Sequence, residues 1–173
     1  MPTNGSNVPG VQVCSLKVDV PQLIQPGTTY RIVRFPFGAA ESTDRFEMHQ
    51  TVQPDGYVVT DWSTDDRSGL IWPSKAGWGD LYAMIQWEAA SASGGYTELR
   101  DQYVRDPLGL TPNPTDTTAT EHRTPTPGGQ FYAKKHGIFV DPAVPVALRV
   151  THNDANPRLL TLAEFKLVIH HAA

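Results

Sequence analysis

The sequence predicts an all-β protein, an antiparallel β-sandwich with long loops, and three observations support that prediction. Apolar and polar residues alternate with a period of two in several segments, which is typical of strands that bury one face. The 173 residues include 14 glycines and 15 prolines, a density that interrupts helices and suits short strands joined by turns. The longest stretch without either residue is 158–173, so long helices have little room.

The clearest alternation lies in the last third of the chain, on either side of turn residues at 152–157. Two sets of apolar residues share one parity each: Val144, Val146, Leu148 and Val150, then Ala163, Phe165, Leu167 and Ile169. We interpret these two segments as a hairpin. We expect Val146, Leu148, Val150, Phe165, Leu167 and Ile169 to face the core.

The middle of the chain carries a second alternating pair, at 79–88 and 96–105, around a loop rich in serine and glycine. Its core-parity residues are Leu81, Ala83, Ile85 and Trp87. We interpret this pair as a hairpin as well. That pairing would place Glu88 opposite Glu98.

The remaining elements are shorter and follow from local composition. Strands are predicted at 11–20, 28–35 and 57–62, while 39–52 is ambiguous. The proline-rich stretch 106–130 reads as a long loop with a short strand at 119–123. Residues 1–10 are polar and form a predicted flexible N-terminal arm, and 11–173 form a single domain. Eight to ten short strands favour a two-sheet sandwich, jelly-roll-like, over the alternative of a closed up-and-down barrel.

Charge and cysteine content exclude several classes of protein. A formal charge of −4 gives no basic footprint, so nucleic acid is not an expected partner. Cys14 is the single cysteine, so no internal disulfide forms, and we expect a small apolar side chain on a strand. The first residues resemble no signal peptide, and no run suits a membrane helix. We therefore expect synthesis in a cytoplasm and no membrane insertion.

The residues that carry chemistry are scattered, so we expect no enzyme, no cofactor and no metal centre. The six histidines lack partners at ligand spacing. Asp61, Asp65 and Asp66 resemble the start of a calcium loop, but the glycine and the final glutamate of that loop are absent. Weak calcium binding at these three carboxylates stays open. A carboxylate pair at Glu88 and Glu98 is better explained as ordinary surface charge.

The aromatic residues are more informative than the polar ones. Four tryptophans fall between residues 62 and 87, and Trp87 has core parity. We name Trp62, Trp72, Trp78 and Tyr82 as candidate interface or glycan-contact residues, with Trp72 and Trp78 expected to be partly exposed. Exposed aromatic rings stack on sugars or anchor protein interfaces.

Several motifs resemble those of small minor tail proteins from tailed phages that infect actinobacteria. They are SGLIWP at 68–73, GWG at 77–79, YVRDPLGL at 103–110, TPTPGGQ at 124–130 and LTLAEFKL at 160–167. The resemblance covers about 34–169 and implies a structural virion protein at the tail tip or an appendage, with other virion proteins as partners and host attachment as its setting. The alternatives are a carbohydrate-binding module that recognises host envelope glycans, or a capsid decoration protein.

A second resemblance concerns architecture. The succession GDLYAMIQW at 79–87, ELR at 98–100, VALRVTHN at 146–153 and FKLV at 165–168 is similar to the C1q/TNF-like jelly roll. That family typically forms trimers, so the resemblance implies a homo-oligomer, with a trimer favoured. The collagen stalk that usually accompanies such domains is missing here.

Overall fold

The computed structural model describes residues 10–89, 95–112 and 114–170. These residues form ten strands and one turn of 3₁₀ helix at Asp66–Gly69. The strands are β1 Gln12–Val18, β2 Gln22–Ile24, β3 Arg31–Ile32, β4 Thr43–Asp44, β5 Gly77–Trp87, β6 Leu99–Arg105, β7 Asp116–Arg123, β8 Gln130–Val140, β9 Val146–His152 and β10 Arg158–Ile169. Except for Gly10, the predicted N-terminal arm lies outside the described residues.

The strands form two antiparallel sheets, as the sequence predicts. The larger sheet has the order β4-β1-β10-β5-β8, and β2 pairs with the start of β10 beside it. The smaller sheet has the order β3-β9-β6-β7. Every pairing within them is antiparallel. The protein is therefore a two-sheet sandwich, and the closed-barrel alternative is wrong.

The core lies between the two sheets and confirms the predicted parity. All ten residues predicted to face inward are at most 4% exposed: Leu81, Ala83, Ile85, Trp87, Val146, Leu148, Val150, Phe165, Leu167 and Ile169. At the centre, the Phe165 ring packs between Phe35 and Tyr103, with centroids 6.3 and 6.0 Å away. Cys14 is buried on β1 as expected, and burial raises the pKa of its thiol.

A smaller second cluster covers the outer side of the four-stranded sheet. Ile71 bridges to Val146 and points into the main core. Its neighbours Leu70 and Trp72 point the other way, onto Val104 and Ala147. This packing explains why β9 is buried on both faces.

Both predicted hairpins are wrong, although their strands exist. β9 lies in the four-stranded sheet and β10 in the six-stranded sheet, and the same is true of β6 and β5. Glu88 accepts a hydrogen bond from the Leu159 backbone at 2.9 Å, whereas Glu98 pairs with Arg100. Alternation with a period of two shows which side chains of a strand are buried, but it does not show which strand pairs with it. The same face of the strand is buried whichever strand is its neighbour.

The proline-rich region also differs from its prediction. β7 spans Asp116–Arg123, longer than the expected 119–123, and β8 begins at Gln130, where a loop was expected. β8 escaped prediction because its inward parity includes Lys134 and its outward parity includes Phe131, so it shows no clean alternation. The predicted strand at 57–62 is reduced to a single bridge between Val52 and Val58.

Truncation of the central rings tests the core. We expect Phe165→Ala and Trp87→Ala each to lower the free energy of unfolding by about 3–5 kcal/mol, because each removes a fully packed ring and leaves a cavity. Val52→Ala, which shortens a 61% exposed side chain outside the named strands, is the control and should cost about 0.5 kcal/mol or less. Chemical denaturation measures all three. Equal losses in the core and control variants would contradict this description.

Candidate interaction surface

The outer face of the six-stranded sheet carries an unusual number of large apolar side chains. Residues on this face alternate with the core residues along β5 and β8. Trp78 and Phe139 are direct cross-strand partners at one end, and Phe131 lies at the other end of β8. We call Trp78, Tyr82, Phe131 and Phe139 the aromatic face.

The aromatic face is open to solvent. Trp78 is 56% exposed, Phe131 62% and Phe139 56%. Tyr82 lies between the two ends and is half-buried. Soluble monomers rarely leave several large rings exposed on one surface, and such surfaces usually contact another molecule.

Trp78 keeps its position because a glycine lies beneath it. A Cβ atom built on Gly137 would come within 2.7 Å of Trp78 Cζ2, so the indole lies directly against the β8 backbone. Only a residue without a side chain permits that approach. One edge of the indole therefore packs over Gly137, while more than half of the side chain stays exposed.

Charged residues of both signs surround the aromatic face. Asp80 contacts His170 Nε2 at 2.8 Å and Lys135 Nζ at 3.8 Å. Lys135 also lies 5.1 Å from the Tyr82 ring centroid, and its contacts with Tyr82 and Asp80 raise the pKa of Lys135. Glu164 pairs with Lys166 at 2.7 Å on the adjacent strand. A surface with both signs of charge can be complementary to itself.

A shallow, mostly apolar depression lies in the middle of this face. Its volume is about 390 Å³. Tyr82, Met84 and Ala133 form its floor, and Lys135, Glu164 and Lys166 stand at its rim. An apolar floor with a polar rim is the usual anatomy of a protein interface.

The four candidate aromatic residues separate into three environments. Trp78 and Tyr82 lie together on the aromatic face. Trp72 is only 6% exposed and donates its indole N–H to Gln53 Oε1 at 3.2 Å, so its expected partial exposure is wrong. Trp62 is half-buried against the core and lines a separate depression of about 470 Å³. Sequence reasoning included Trp72 among the exposed candidates because it could not foresee the second cluster, in which Trp72 is buried.

Phe131 and Phe139 were missed by the sequence analysis. No strand was predicted over 131–140, so the outward parity of this segment was not considered. The available signal was the segment 131–140, which contains no proline and begins and ends with β-forming residues.

The carboxylates of the possible calcium loop are engaged with protein groups. The Ser63 hydroxyl and backbone N–H donate to Asp61 and lower the pKa of its carboxyl. Asp65 caps the 3₁₀ turn and accepts from the Tyr57 hydroxyl at 2.9 Å. Asp66 accepts from Arg34 Nε at 2.9 Å. Across the described part of the chain, no three histidine, cysteine or acidic side chains form a group suited to a metal ion.

The two buried histidines contact backbone carbonyl groups. His152 and His49 are buried, and each has a ring nitrogen within hydrogen-bond distance of a backbone carbonyl, Ile24 O at 2.9 Å and Ser68 O at 2.7 Å. Burial lowers the pKa of His49.

Within the described ranges, no helix is long and apolar enough to cross a membrane.

Comparison with known proteins identifies the fold. No protein-family model matches the sequence, and no curated protein is significantly similar to it. The globular domain of zebrafish complement 1qA is similar in structure, with a TM-score of 0.60, 9% identity, and coverage of 94% of this chain and 98% of that one. Eiger TNF from S. frugiperda gives 0.51, 11% identity and 95% coverage of each chain. These identities show the fold alone: the protein has a C1q/TNF-like jelly roll, as the strand succession implied.

Proposed function

We propose that this protein is a non-enzymatic structural component of a tailed-phage virion, a minor tail protein that works as a homo-oligomer, with a trimer favoured. The phage assignment rests on the sequence motifs that resemble actinobacteriophage tail proteins. The assembly rests on the aromatic face and on the jelly-roll resemblance. The virion is accordingly the proposed location, with other virion proteins as partners.

The aromatic face is the structural observation that carries the assembly proposal. Three rings on one sheet are more than half exposed, and burying the exposed part of each would contribute about 1–2 kcal/mol to association. The proposed occupant is a second copy of this chain. The mixed charges around Asp80, Lys135 and Glu164 support this choice, because a copy of the same surface offers both signs in return.

Glycan recognition is a second candidate, supported by the depression beside Trp62. The Trp62 indole lines this depression. Two arginines, Arg31 and Arg34, and two glutamines, Gln22 and Gln25, also line it. Aromatic rings stack on sugar faces while planar polar groups bind hydroxyls. The Gln22 side chain forms two hydrogen bonds with the Arg34 backbone: its Nε2 donates to the Arg34 carbonyl, and its Oε1 accepts from the Arg34 N–H. These bonds hold one wall of the depression in place.

Self-assembly is tested by sedimentation at micromolar concentration. We expect the wild-type protein to sediment as an oligomer. Trp78→Asp and Phe139→Asp should each shift it to a monomer of 19.0 kDa, because a buried charge without a partner is strongly unfavourable. Val58→Asp changes a residue of similar exposure, 52%, that lies off the sheet, and should leave the oligomer intact. A wild-type monomer would contradict the assembly proposal.

Virion location is tested on purified phage particles. We expect peptides of this protein in particles that survive gradient purification, and gold-labelled antibodies at the tail rather than at the capsid. Label on the capsid would favour the decoration-protein alternative. Absence of the protein from particles that contain known tail proteins would overturn the virion assignment.

Glycan binding is tested with fragments of host envelope polysaccharide. If the Trp62 depression binds sugar, Trp62→Ala should weaken binding about tenfold, equivalent to about 1.4 kcal/mol. Trp78→Ala serves as the control, because it removes an indole of the aromatic face and leaves the depression unchanged. Equal binding by the wild type and both variants would exclude the depression as the glycan site.

A further inference from the structure

A lysine and an aspartate meet inside the sandwich. Lys134 points inward from β8 of the six-stranded sheet, and Asp101 points inward from β6 of the four-stranded sheet. Their side chains are 1% and 0% exposed, and Lys134 Nζ lies 2.5 Å from Asp101 Oδ1. An amine and a carboxyl are thus held in contact across the core, where solvent does not reach.

This contact leaves the carboxyl incompletely satisfied. Asp101 Oδ2 and Arg123 Nε have no hydrogen-bond partner among the described residues, although they lie only 4.0 Å apart. Burial raises the pKa of Asp101, and the nearby Glu121 charge adds to that effect. The neutral amine and the neutral carboxylic acid are the forms of these two groups that condense to an amide. Lys134 Nζ and Asp101 Oδ1 are close enough for a proton to pass directly between them.

We propose that Lys134 and Asp101 condense to form an intramolecular isopeptide bond between the two sheets. The lone pair of the neutral Lys134 Nζ attacks Asp101 Cγ, and a nitrogen–carbon bond forms. A carbon–oxygen bond of the carboxyl then breaks, and that oxygen leaves as water with one proton from the acid and one from the amine. No group is oxidised or reduced, so no external reagent is needed.

Proximity lowers the barrier to this step. Amide formation in water is slow because the two groups must meet and lose their hydration. Here the fold holds them in contact, and well-oriented intramolecular reactions reach effective molarities of about 10⁵–10⁸ M. The rings around the pair keep it dry: the Tyr103 centroid lies 5.0 Å from Lys134 Nζ, and Tyr132 is buried beside them.

Glu121 is the candidate positioning residue for the proton transfers. It is the direct cross-strand partner of Asp101 in the β6–β7 pairing, and it forms an ion pair with Arg123. Its charge adds to the effect of burial in raising the pKa of Asp101, and so favours the protonated carboxyl from which the amide forms. Arg123 holds Glu121 and also stacks on the Tyr132 ring at 4.1 Å.

The surroundings also suit the product. The remaining N–H of the new amide lies near the Ala119 carbonyl, which Lys134 Nζ already approaches at 3.3 Å. The remaining carbonyl oxygen faces Arg123 Nε, the unsatisfied donor. The bond would join β8, an edge strand of one sheet, to β6 of the other.

Mass spectrometry of the intact, folded full-length protein tests the proposal. We expect a mass one water molecule below the mass of the sequence, and a branched peptide after digestion that joins the segments containing Asp101 and Lys134. Lys134→Arg should restore the full mass of its sequence. Asp101→Asn should lose ammonia instead of water and give the same product as the wild type, which keeps the test valid if other variants fold poorly.

The role of Glu121 is tested by the rate of water loss. Glu121→Gln should slow the mass change at least tenfold while leaving the circular dichroism spectrum unchanged, whereas Glu164→Gln on the outer face should react like the wild type. Folded wild-type protein that keeps its full sequence mass after prolonged incubation would overturn the proposal, and Lys134 and Asp101 would then form an ordinary buried ion pair. This outcome is independent of any virion role.

Discussion

The rest of the structure depends on the contact between the inward faces of the two sheets. β10 is the central strand of this contact, because it pairs with β1 on one side and β5 on the other. Its Phe165 ring reaches across the core to Tyr103 of the opposite sheet. A single sheet cannot bury an apolar face alone, so each sheet is stable only against the other. Several connections cross from one sheet to the other, among them 153–157 between β9 and β10, and these crossings are consequences of this arrangement.

The same constraint explains why the outer faces can vary. Strand geometry sends every second side chain away from the core, so the fold places no demand on those positions. On the four-stranded sheet, Leu70 and Trp72 cover part of the outer face. On the six-stranded sheet, Trp78, Phe131 and Phe139 remain exposed. Their presence contributes little to the stability of one chain, which is why we assign them to contacts between chains.

The pair Lys134–Asp101 places two charged side chains between the sheets. Buried charges usually weaken a fold relative to apolar residues of the same volume. Their position between the sheets, with one carboxyl oxygen unsatisfied, is therefore unexpected for a purely structural ion pair. A covalent bond would remove both charges and join the sheets where edge strands β7 and β8 lie on the same side of the sandwich. Lys134 occupies an inward position of β8, and this charged residue is one reason why the sequence shows no clean alternation there. Its contact with Asp101 explains why a lysine lies at that position.

The sequence by itself determined the fold class, the inward faces of three strands and the jelly-roll resemblance. It could do so because a period of two is a local property, visible in residues such as Leu81 to Trp87 without knowledge of their partners. Strand pairing depends on contacts between distant segments, so both supposed hairpins were wrong. The exposure of Trp78 against the burial of Trp72 was also a tertiary outcome, since it depends on which loop covers which sheet. Only the assembled sandwich brought Asp101 to Lys134, because the two residues belong to different sheets and no local pattern connects them.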